Sequence, residues 1–341
     1  MAQSPAKQAS RASPYANIAV IGAGAWGTAL AAIAAGAGAK VTLWAREPEV
    51  VESLLKRREN RLFLAGITVP DAIEPTGDLA RARDADAVLL AAPAQHVRTV
   101  LQALRAKVKP QAPIVICAKG IELQSGLLLT EVLAEVLPDA DPAMLSGPSF
   151  ARDVASGLPT AVTIAAREAV AMHLAASLGR PGFRPYVSED LVGVALGGAA
   201  KNVYAIACGM VQGAGLGESA RAATMSRGFA ELLRLGAALG ARSETLMGLS
   251  GLGDLVLTAT SMSSRNFALG VALGKGASLG EISGEGRPLA EGAATAPALI
   301  ARARRHGVEL PIAEAVADVV AGTLDVKGAV ERLLSRPLKP E

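Results

Sequence analysis

The sequence has few of the residues that mark several specialised classes of protein. It contains only two cysteines, Cys117 and Cys208, whose separation suggests neither a disulfide framework nor a zinc motif. Its three histidines, His96, His173 and His306, form no ligand-like cluster, so we expect no metal site. Charge is also sparse: 19% of the residues are charged, and the formal net charge is only +3. This balance predicts no general attraction to nucleic acid.

Apolar residues, by contrast, are abundant. They make up 51% of the 341 residues, and the mean hydropathy is +0.35. This composition excludes a disordered chain, because enough apolar surface is available to offset the entropy of ordering the backbone. The length predicts two domains, since single cores stop growing at roughly 250 to 300 residues.

A membrane span or secretory leader is an alternative for the uncharged stretch from Ile18 to Ala39. The stretch contains five glycines, is otherwise rich in alanine, and has few of the large aliphatic side chains that drive insertion. We therefore expect no integral membrane segment and a cytoplasmic protein.

The first half of the chain has the pattern of alternating strands and helices. Residues 1–16 resemble a flexible tail, and a strand at Asn17–Ile21, a helix at Thr28–Ala35 and a strand at Lys40–Trp44 form a βαβ unit. Further apolar runs of strand length are Ala87–Ala92, Ile114–Ala118, Ala161–Ala165 and Arg184–Val187. Runs without polar alternation are typical of parallel strands that are covered on both faces. Residues 17–188 are therefore predicted to form an α/β Rossmann-type domain with a mostly parallel sheet.

From Glu189 onward the pattern changes to long segments of Ala, Leu and Gly with helical periodicity. We expect an all-α C-terminal domain over residues 189–341.

A GxGxxG motif, formed by Gly22, Gly24 and Gly27, lies between the first strand and the first helix. In dinucleotide-binding proteins the first glycine permits a tight turn, the second admits the pyrophosphate, and the third lets the helix pack on the strand. Ala25 begins the helix, whose N-terminal N–H groups would face the phosphates. The motif in this context predicts that the chain binds NAD(P).

Arg46 lies at the end of the second strand, where NAD-dependent proteins usually carry an acidic residue for the ribose. A guanidinium there could bind a 2′-phosphate, and this favours NADPH over NADH as the cofactor. The alternatives are a solvated surface arginine and, because Glu47 follows, a protein that uses NAD.

Two lysines are candidates for chemistry. Lys119 follows an apolar run and should lie at the carboxyl end of a strand, the edge at which open α/β sheets bind ligands. Lys201 is the only charged residue between Leu191 and Gly217. Burial would lower the pKa of its ammonium towards the range useful for proton transfer. The alternative is a lysine whose stem covers apolar surface while its charge reaches water.

Asp254 is likewise the only charged residue between Thr245 and Ser264. A buried carboxylate could pair with Lys201, although a helix cap is an equally good explanation. Ser264, Arg265 and Asn266 then offer a hydroxyl, a guanidinium and an amide, which suit a phosphate but also suit a polar helix start.

The motifs together resemble the bacterial-type NAD(P)-dependent glycerol-3-phosphate dehydrogenases. The resemblance extends from about Asn17 to Val330 and rests on GAGAWGTAL, LWARE, CAKGIE, LSGPSFARDVA, VGVALGGAAKNVYAIACG, GLSGLGDLVLTATS, SRNFALG and AEGAATAPAL. It implies reversible reduction of dihydroxyacetone phosphate to sn-glycerol 3-phosphate by NADPH or NADH, which supplies phospholipid synthesis. It also implies a homodimer.

The resemblance also implies roles for individual residues. Lys201 matches the family's catalytic proton donor and acceptor. The positions that match substrate contacts are Lys119, Gly147, Ser149, Lys201, Asp254, Ser264, Arg265 and Asn266. The positions that match cofactor contacts, besides the glycine turn and Ala25, are Trp26, Arg46, Lys119, Ala151, Arg265, Leu289 and Glu291.

Two other functions fit part of this pattern. A β-hydroxyacid dehydrogenase also combines a Rossmann domain with a helical Lys-Asn pair, but the GDLVLT and SRN segments argue against it. A protein that senses NAD(P)H without turnover would be expected to lose the buried lysine or the polar substrate residues, and both are present.

Overall fold

The computed structural model describes residues 12–283 and 290–337. Within them the chain divides into two compact units. The first comprises residues 12–119 and 128–195, and the second comprises 120–127, 196–283 and 290–337.

The first unit is built on an eight-stranded sheet. Its strands are β1 (Asn17–Ile21), β2 (Lys40–Trp44), β3 (Ile73–Thr76), β4 (Ala87–Leu90), β5 (Pro113–Ile116), β6 (Asp141–Ser146), β7 (Thr160–Ala165) and β8 (Phe183–Ser188). Their order in the sheet is β3-β2-β1-β4-β5-β6-β7-β8, and all neighbours are parallel except β6 and β7. The helices of this unit are α1 (Ala25–Gly36), α2 (Pro48–Arg57), α3 (Val97–Leu104), α4 (Leu129–Val136), α5 (Ala151–Ala155) and α6 (Glu168–Leu178).

The central strands are buried on both faces. Every residue of β4 and β5 is buried, as is all of β1 except Asn17. This burial explains their unbroken apolar sequences, because helices cover both faces of a parallel sheet. The prediction of a Rossmann-type domain with a mostly parallel sheet is confirmed.

Two strands were not predicted from the sequence. Strand β3 contains Pro75 and a buried residue only at every second position, and β6 begins with Asp141 and Pro142. The sheet edges are β3 and β8, which contain Pro75 and Pro185. Proline has no N–H for a ladder hydrogen bond, so it is tolerated at the edge of a sheet.

Every regular element in the described part of the second unit is helical. The α-helices that follow in the chain are α7 (Leu191–Gly213), α8 (Glu218–Ala238), α9 (Ser243–Met247), α10 (Asp254–Ala259), α11 (Arg265–Gly274), α12 (Leu279–Ser283), α13 (Glu291–Arg305), α14 (Pro311–Val320) and α15 (Val326–Leu334). The first residues of α7 belong to the first unit. A π-helical turn at Leu249–Gly253 precedes α10. The prediction that a helical domain follows the Rossmann-type domain is confirmed.

The stretch Ile18–Ala39 folds as β1 and α1, so the alternative of a membrane span or leader there was wrong. Among the described helices, α7 is the one that is long and apolar enough to cross a membrane. It has a mean hydropathy of 1.5, but 89% of its apolar window is buried inside the protein. Such burial is typical of a core helix, and α7 is the helix that carries Lys201.

Helices α7 and α11 approach closely because glycines face each other across their contact. A Cβ atom at Gly209 would lie 2.2 Å from the Phe267 carbonyl oxygen, and one at Gly270 would lie 2.1 Å from that of Ile206. Side chains at these positions would push the helices apart. The contact holds the helix that begins at Arg265 against the helix that carries Lys201.

A buried carboxylate fixes another helix of the second unit. Glu231 on α8 is 2% exposed and accepts the backbone N–H groups of Ile312, at 2.7 Å, and Ala313, at 3.3 Å. These N–H groups lie at the start of α14, where a helix has unsatisfied donors. Burial raises the pKa of Glu231 to about 7, although the two backbone hydrogen bonds oppose the shift.

Candidate functional site

The glycine turn joins β1 to α1 in the first unit. Gly22 has a φ of +108° and donates its N–H to the Trp44 carbonyl at 3.0 Å. A Cβ at Gly27 would lie 1.8 Å from the Gly22 carbonyl oxygen, whereas a Cβ at Gly24 would meet no atom within 4 Å. The first and third glycines are therefore required by packing, and the second borders open space at the start of α1. This arrangement fits a dinucleotide pyrophosphate.

Ala25 and Trp26 form the first turn of α1, next to Gly24. Trp26 packs partly buried against the core of the first unit. Its indole N–H is buried, and it has no hydrogen-bond partner among residues 12–283 and 290–337. A buried indole N–H usually has a partner, so this unsatisfied donor next to the glycine turn in sequence is one that a bound group would satisfy.

Arg46 follows β2, as expected, and its side chain is 73% exposed. Its Nε and Nη2 atoms donate to the same Glu47 carboxylate oxygen, at 3.2 Å and 2.9 Å. A surface ion pair of this kind is weak, so an incoming anion can displace the carboxylate. The geometry is compatible with a 2′-phosphate site and equally with the surface arginine considered above.

Lys119, Gly147, Ser149 and Ala151 come together at the carboxyl ends of β5 and β6. The Lys119 ammonium donates to the Gly147 carbonyl at 3.0 Å, and the Ser149 hydroxyl donates to the same oxygen at 2.9 Å. Gly147 has a φ of +145°, and a Cβ there would lie 2.9 Å from the Val162 Cα. Ala151 begins α5. The fold thus brings these four residues, which span 32 positions of the sequence, to one edge of the sheet.

Lys201 and Asp254 form an ion pair inside the second unit. The Lys201 Nζ donates to the Asp254 Oδ1 at 2.8 Å and to the Thr258 hydroxyl at 2.7 Å. The Thr258 hydroxyl in turn donates to Asp254 at 3.3 Å. Lys201 is 7% exposed, Asp254 1% and Thr258 3%. The lysine therefore has a buried counter-charge, which excludes the alternative of a solvated ammonium on an apolar stem.

The local fold explains how residues 53 positions apart meet. Asp254 is the first residue of α10, directly after the π-helical turn. That turn lies against α7 at Gly197, where a Cβ would be only 2.9 Å from the Ser250 carbonyl oxygen. Gly197 precedes Lys201 by one helical turn, so the contact brings the start of α10 to the lysine. Asp254 is thus the first helical residue of α10, after the cap position at Gly253, and its carboxylate pairs with Lys201. The structure supports the pairing rather than the helix-cap interpretation.

Ser264, Arg265 and Asn266 lie at the start of α11. The Ser264 hydroxyl accepts the Phe267 N–H at 3.2 Å and is a helix cap. The Asn266 amide donates to the Asn202 side chain at 2.9 Å and accepts the Gly292 N–H at 2.8 Å. Arg265 is exposed. Of the three, Arg265 is the side chain best placed to bind an anion from solution.

Two more of the predicted cofactor contacts are Glu291 and Leu289, and the structure describes only the first of them. Glu291 is the first residue of α13, directly before the Gly292 N–H that Asn266 accepts. Leu289 lies outside the described residues.

Thr258 and Asn202 were missed by the sequence-based prediction, although Thr258 follows Asp254 by four residues in a helix and so shares its face.

The two cysteines are free and buried. Burial raises the pKa of Cys117 above its ordinary value and that of Cys208 to about 12, so both thiols stay protonated near neutral pH. Within the described part of the chain, no three His, Cys, Asp or Glu side chains are grouped so that they could hold a metal ion.

Comparison with known proteins identifies the family. Residues 17–172 match the family model described as NAD-dependent glycerol-3-phosphate dehydrogenase N-terminus, and residues 190–331 match the corresponding C-terminus model. The chain belongs to this family. The resemblance predicted from the sequence motifs is confirmed, and the chain is an enzyme of the NAD(P)-dependent oxidoreductase class rather than a β-hydroxyacid dehydrogenase.

Similar proteins match along nearly the whole chain. A glycerol-3-phosphate dehydrogenase [NAD(P)+] of Parvibaculum lavamentivorans is 58% identical over 96% of this chain and 98% of its own. One from Rhodospirillum rubrum is 56% identical over 95% of this chain and 94% of its own. A crystal structure of glycerol-3-phosphate dehydrogenase from Coxiella burnetii covers 94% of this chain and 99% of its own, with 36% identity and a TM-score of 0.89.

Proposed function

We propose that the protein reduces dihydroxyacetone phosphate to sn-glycerol 3-phosphate with NADPH or NADH, and catalyses the reverse reaction. The observation that carries this proposal is the buried ion pair of Lys201 and Asp254, supported by the Thr258 hydroxyl. Burying two charges in a core is costly, and buried charged groups of this kind cluster at functional sites. The identity of the substrate is inferred from the family to which the chain belongs.

We assign the cofactor to the residues of the first unit around the glycine turn. Gly24, Ala25 and the Trp26 indole N–H would face the pyrophosphate, while Gly22 and Gly27 keep the turn tight. The open space above Gly24 and the buried Trp26 donor are the structural support for this assignment. When bound, NAD(P)H supplies a hydride for the substrate carbonyl.

We assign proton transfer to Lys201. As the hydride reaches C2 of the ketone, the carbonyl electron pair moves onto the oxygen, and the Lys201 ammonium donates a proton to that oxygen. Asp254 favours the protonated ammonium by direct charge interaction, and Thr258 restricts its direction. A cation held in place before the reaction stabilises the developing alkoxide more than it stabilises the neutral ketone.

In each unit we assign residues that match substrate contacts. Lys119, held by the Gly147 carbonyl, offers a charged donor at the edge of the sheet, and the Ser149 hydroxyl, which donates its proton to the same carbonyl, offers an acceptor. Arg265 would bind the phosphate dianion, because a guanidinium matches phosphate geometry with paired donors. Ser264 and Asn266 would act mainly by fixing the start of α11, given their hydrogen bonds to Phe267, Asn202 and Gly292.

For the cofactor we further propose a preference for NADPH, with Arg46 releasing Glu47 to bind the 2′-phosphate. Arg265 and Glu291 would also contact the dinucleotide, as would Lys119 and Ala151. Residues 17–188 would form the dinucleotide-binding domain and residues 189–341 the substrate domain. We also propose a homodimer in the cytoplasm that supplies glycerol phosphate to phospholipid synthesis.

The test is oxidation of NADPH and NADH, measured side by side at 340 nm with dihydroxyacetone phosphate. We expect activity with both cofactors and a higher kcat/KM with NADPH. Dihydroxyacetone without the phosphate should be a poor substrate, because its binding lacks the anion. Absence of activity with either cofactor would refute the proposed function, whereas equal efficiency would refute only the NADPH preference.

A further inference from the structure

A buried amide outside the proposed site contacts the glycine turn. Asn60 lies three residues after α2 and is completely buried. Its Nδ2 atom donates to the Ala23 carbonyl oxygen and to the Thr28 hydroxyl, both at 2.8 Å. Its Oδ1 atom accepts the Phe63 N–H at 3.1 Å. The side chain is thus held on one side by its own loop and on the other by the turn between β1 and α1.

The contact with Ala23 bears on phosphate binding because of peptide geometry. The peptide that joins Ala23 to Gly24 is planar and trans, so its carbonyl oxygen and its N–H point in opposite directions. A hydrogen bond that fixes the Ala23 carbonyl therefore also fixes the direction of the Gly24 N–H. Gly24 is the residue of the turn that borders open space.

The alternative is that Asn60 only anchors the loop that follows α2. The Leu64 N–H bonds to the Asn60 carbonyl at 2.8 Å, so the backbone already closes this loop without the side chain. The side-chain amide directs its donors away from the loop, to two groups that flank Gly24 in sequence. Burying an amide is costly unless its donors are satisfied, and these donors are satisfied by the glycine turn.

We propose that Asn60 is a positioning residue for the dinucleotide: it holds the Ala23–Gly24 peptide so that the Gly24 N–H faces the pyrophosphate. This inference rests on the dinucleotide site proposed above. The pyrophosphate is common to NADH and NADPH, so Asn60 should affect both cofactors equally, in contrast to Arg46.

The test variant is Asn60→Asp. Aspartate has the same size and still accepts the Phe63 N–H, but it cannot donate to the Ala23 carbonyl. We expect the Kd of NADH and that of NADPH, measured by titration calorimetry, to rise by the same factor, about tenfold, the cost of one hydrogen bond to a charged group. The kcat at saturating cofactor and the KM of dihydroxyacetone phosphate should stay close to the wild-type values. If the aspartate variant does not fold, Asn60→Gln serves instead, because its longer side chain displaces the amide.

The matched control is Thr28→Val. It has nearly the same volume and removes the second acceptor of Asn60 together with the long hydrogen bond, 3.5 Å, from the Thr28 hydroxyl to the Ala23 carbonyl. It leaves the shorter bond, 2.8 Å, from Asn60 to that carbonyl. We expect Thr28→Val to lower Tm less than Asn60→Asp does, because it leaves no buried carboxylate, and to bind both cofactors with the wild-type Kd. A purely structural role would make the losses in affinity follow the losses in Tm.

Two results would overturn the inference. One is an Asn60 variant that is folded and binds both cofactors as tightly as the wild type. The other is an equal loss of affinity in Thr28→Val. Neither depends on turnover: a wild-type protein that binds NADPH but does not reduce dihydroxyacetone phosphate would contradict the proposed function and leave the role of Asn60 measurable.

Discussion

The buried pair of Lys201 and Asp254 predicts a specific pattern of stability in three variants. Lys201→Met and Asp254→Leu each remove one charge and leave the other in a nearly dry environment, because the residues are 7% and 1% exposed. Breaking a buried pair in this way costs about 3 to 5 kcal/mol. The double variant removes both charges and replaces them with apolar groups of similar size, so it should be more stable than either single variant.

The expected changes are large enough to measure. For a unit of roughly 150 residues, a loss of 1 kcal/mol lowers Tm by about 2 to 4 °C, so each single variant should lose roughly 10 °C. Differential scanning calorimetry at one pH gives the three Tm values, and urea unfolding gives the free energies. Thr258→Val is the control, because it removes a hydrogen bond without leaving a buried charge and should cost only about 1 to 2 kcal/mol.

Measuring the activity of the same variants distinguishes a loss of stability from a loss of the proton donor. The double variant should regain stability but remain inactive, because it lacks the proton donor. An additive result, in which the double variant loses as much free energy as both single variants together, would show that the two charges do not interact. An active double variant would show that Lys201 is not the proton donor.

Three further predictions concern the cofactor turn, cofactor choice and pH. Gly24→Ala should fold normally and raise KM for both cofactors, because its methyl group enters only the open space, whereas Gly27→Ala should lower Tm, because its methyl group would lie 1.8 Å from a carbonyl oxygen. Arg46→Ala should raise KM for NADPH more than for NADH, and steady-state kinetics showing equal changes would rule out a contact with the 2′-phosphate. The raised pKa of Glu231 means that the native state binds a proton more tightly than the unfolded state, so its contribution to stability is full below about pH 4.5 and is lost as the pH rises through about 7. Glu231→Gln should therefore fall less in Tm between about pH 5 and pH 7 than the wild type does; parallel curves would contradict the assignment.

The features that could be predicted from the sequence are those with strong local patterns. The strands β1 and β2 have the predicted bounds because their apolar runs end at a glycine turn and at charged residues. Lys201 and Asp254 could be identified because each is the only charge in a long uncharged stretch. Their pairing could not be predicted, because it depends on Gly197 admitting the π-helical turn against α7.

Other features have no local signal. Strand β3 contains a proline and a glutamate, which are unusual in strands. It forms a strand because it pairs with β2 at the edge of the sheet. Asn60 resembles any loop asparagine until the fold brings it to Ala23, 37 residues earlier. Ser264 and Asn266 are polar residues that suit both phosphate binding and helix capping, and only their partners distinguish the two roles.

The role of Lys201 is tested most directly by single-turnover kinetics of Lys201→Met, with enzyme and NADPH saturating and dihydroxyacetone phosphate added last. We predict a fall in the rate of NADPH oxidation of about 10²- to 10⁴-fold, the usual contribution of a proton donor, with an unchanged Kd for NADPH. A rate close to that of the wild type, in a variant shown to be folded and to bind the cofactor, would contradict the assignment of Lys201 as the proton donor.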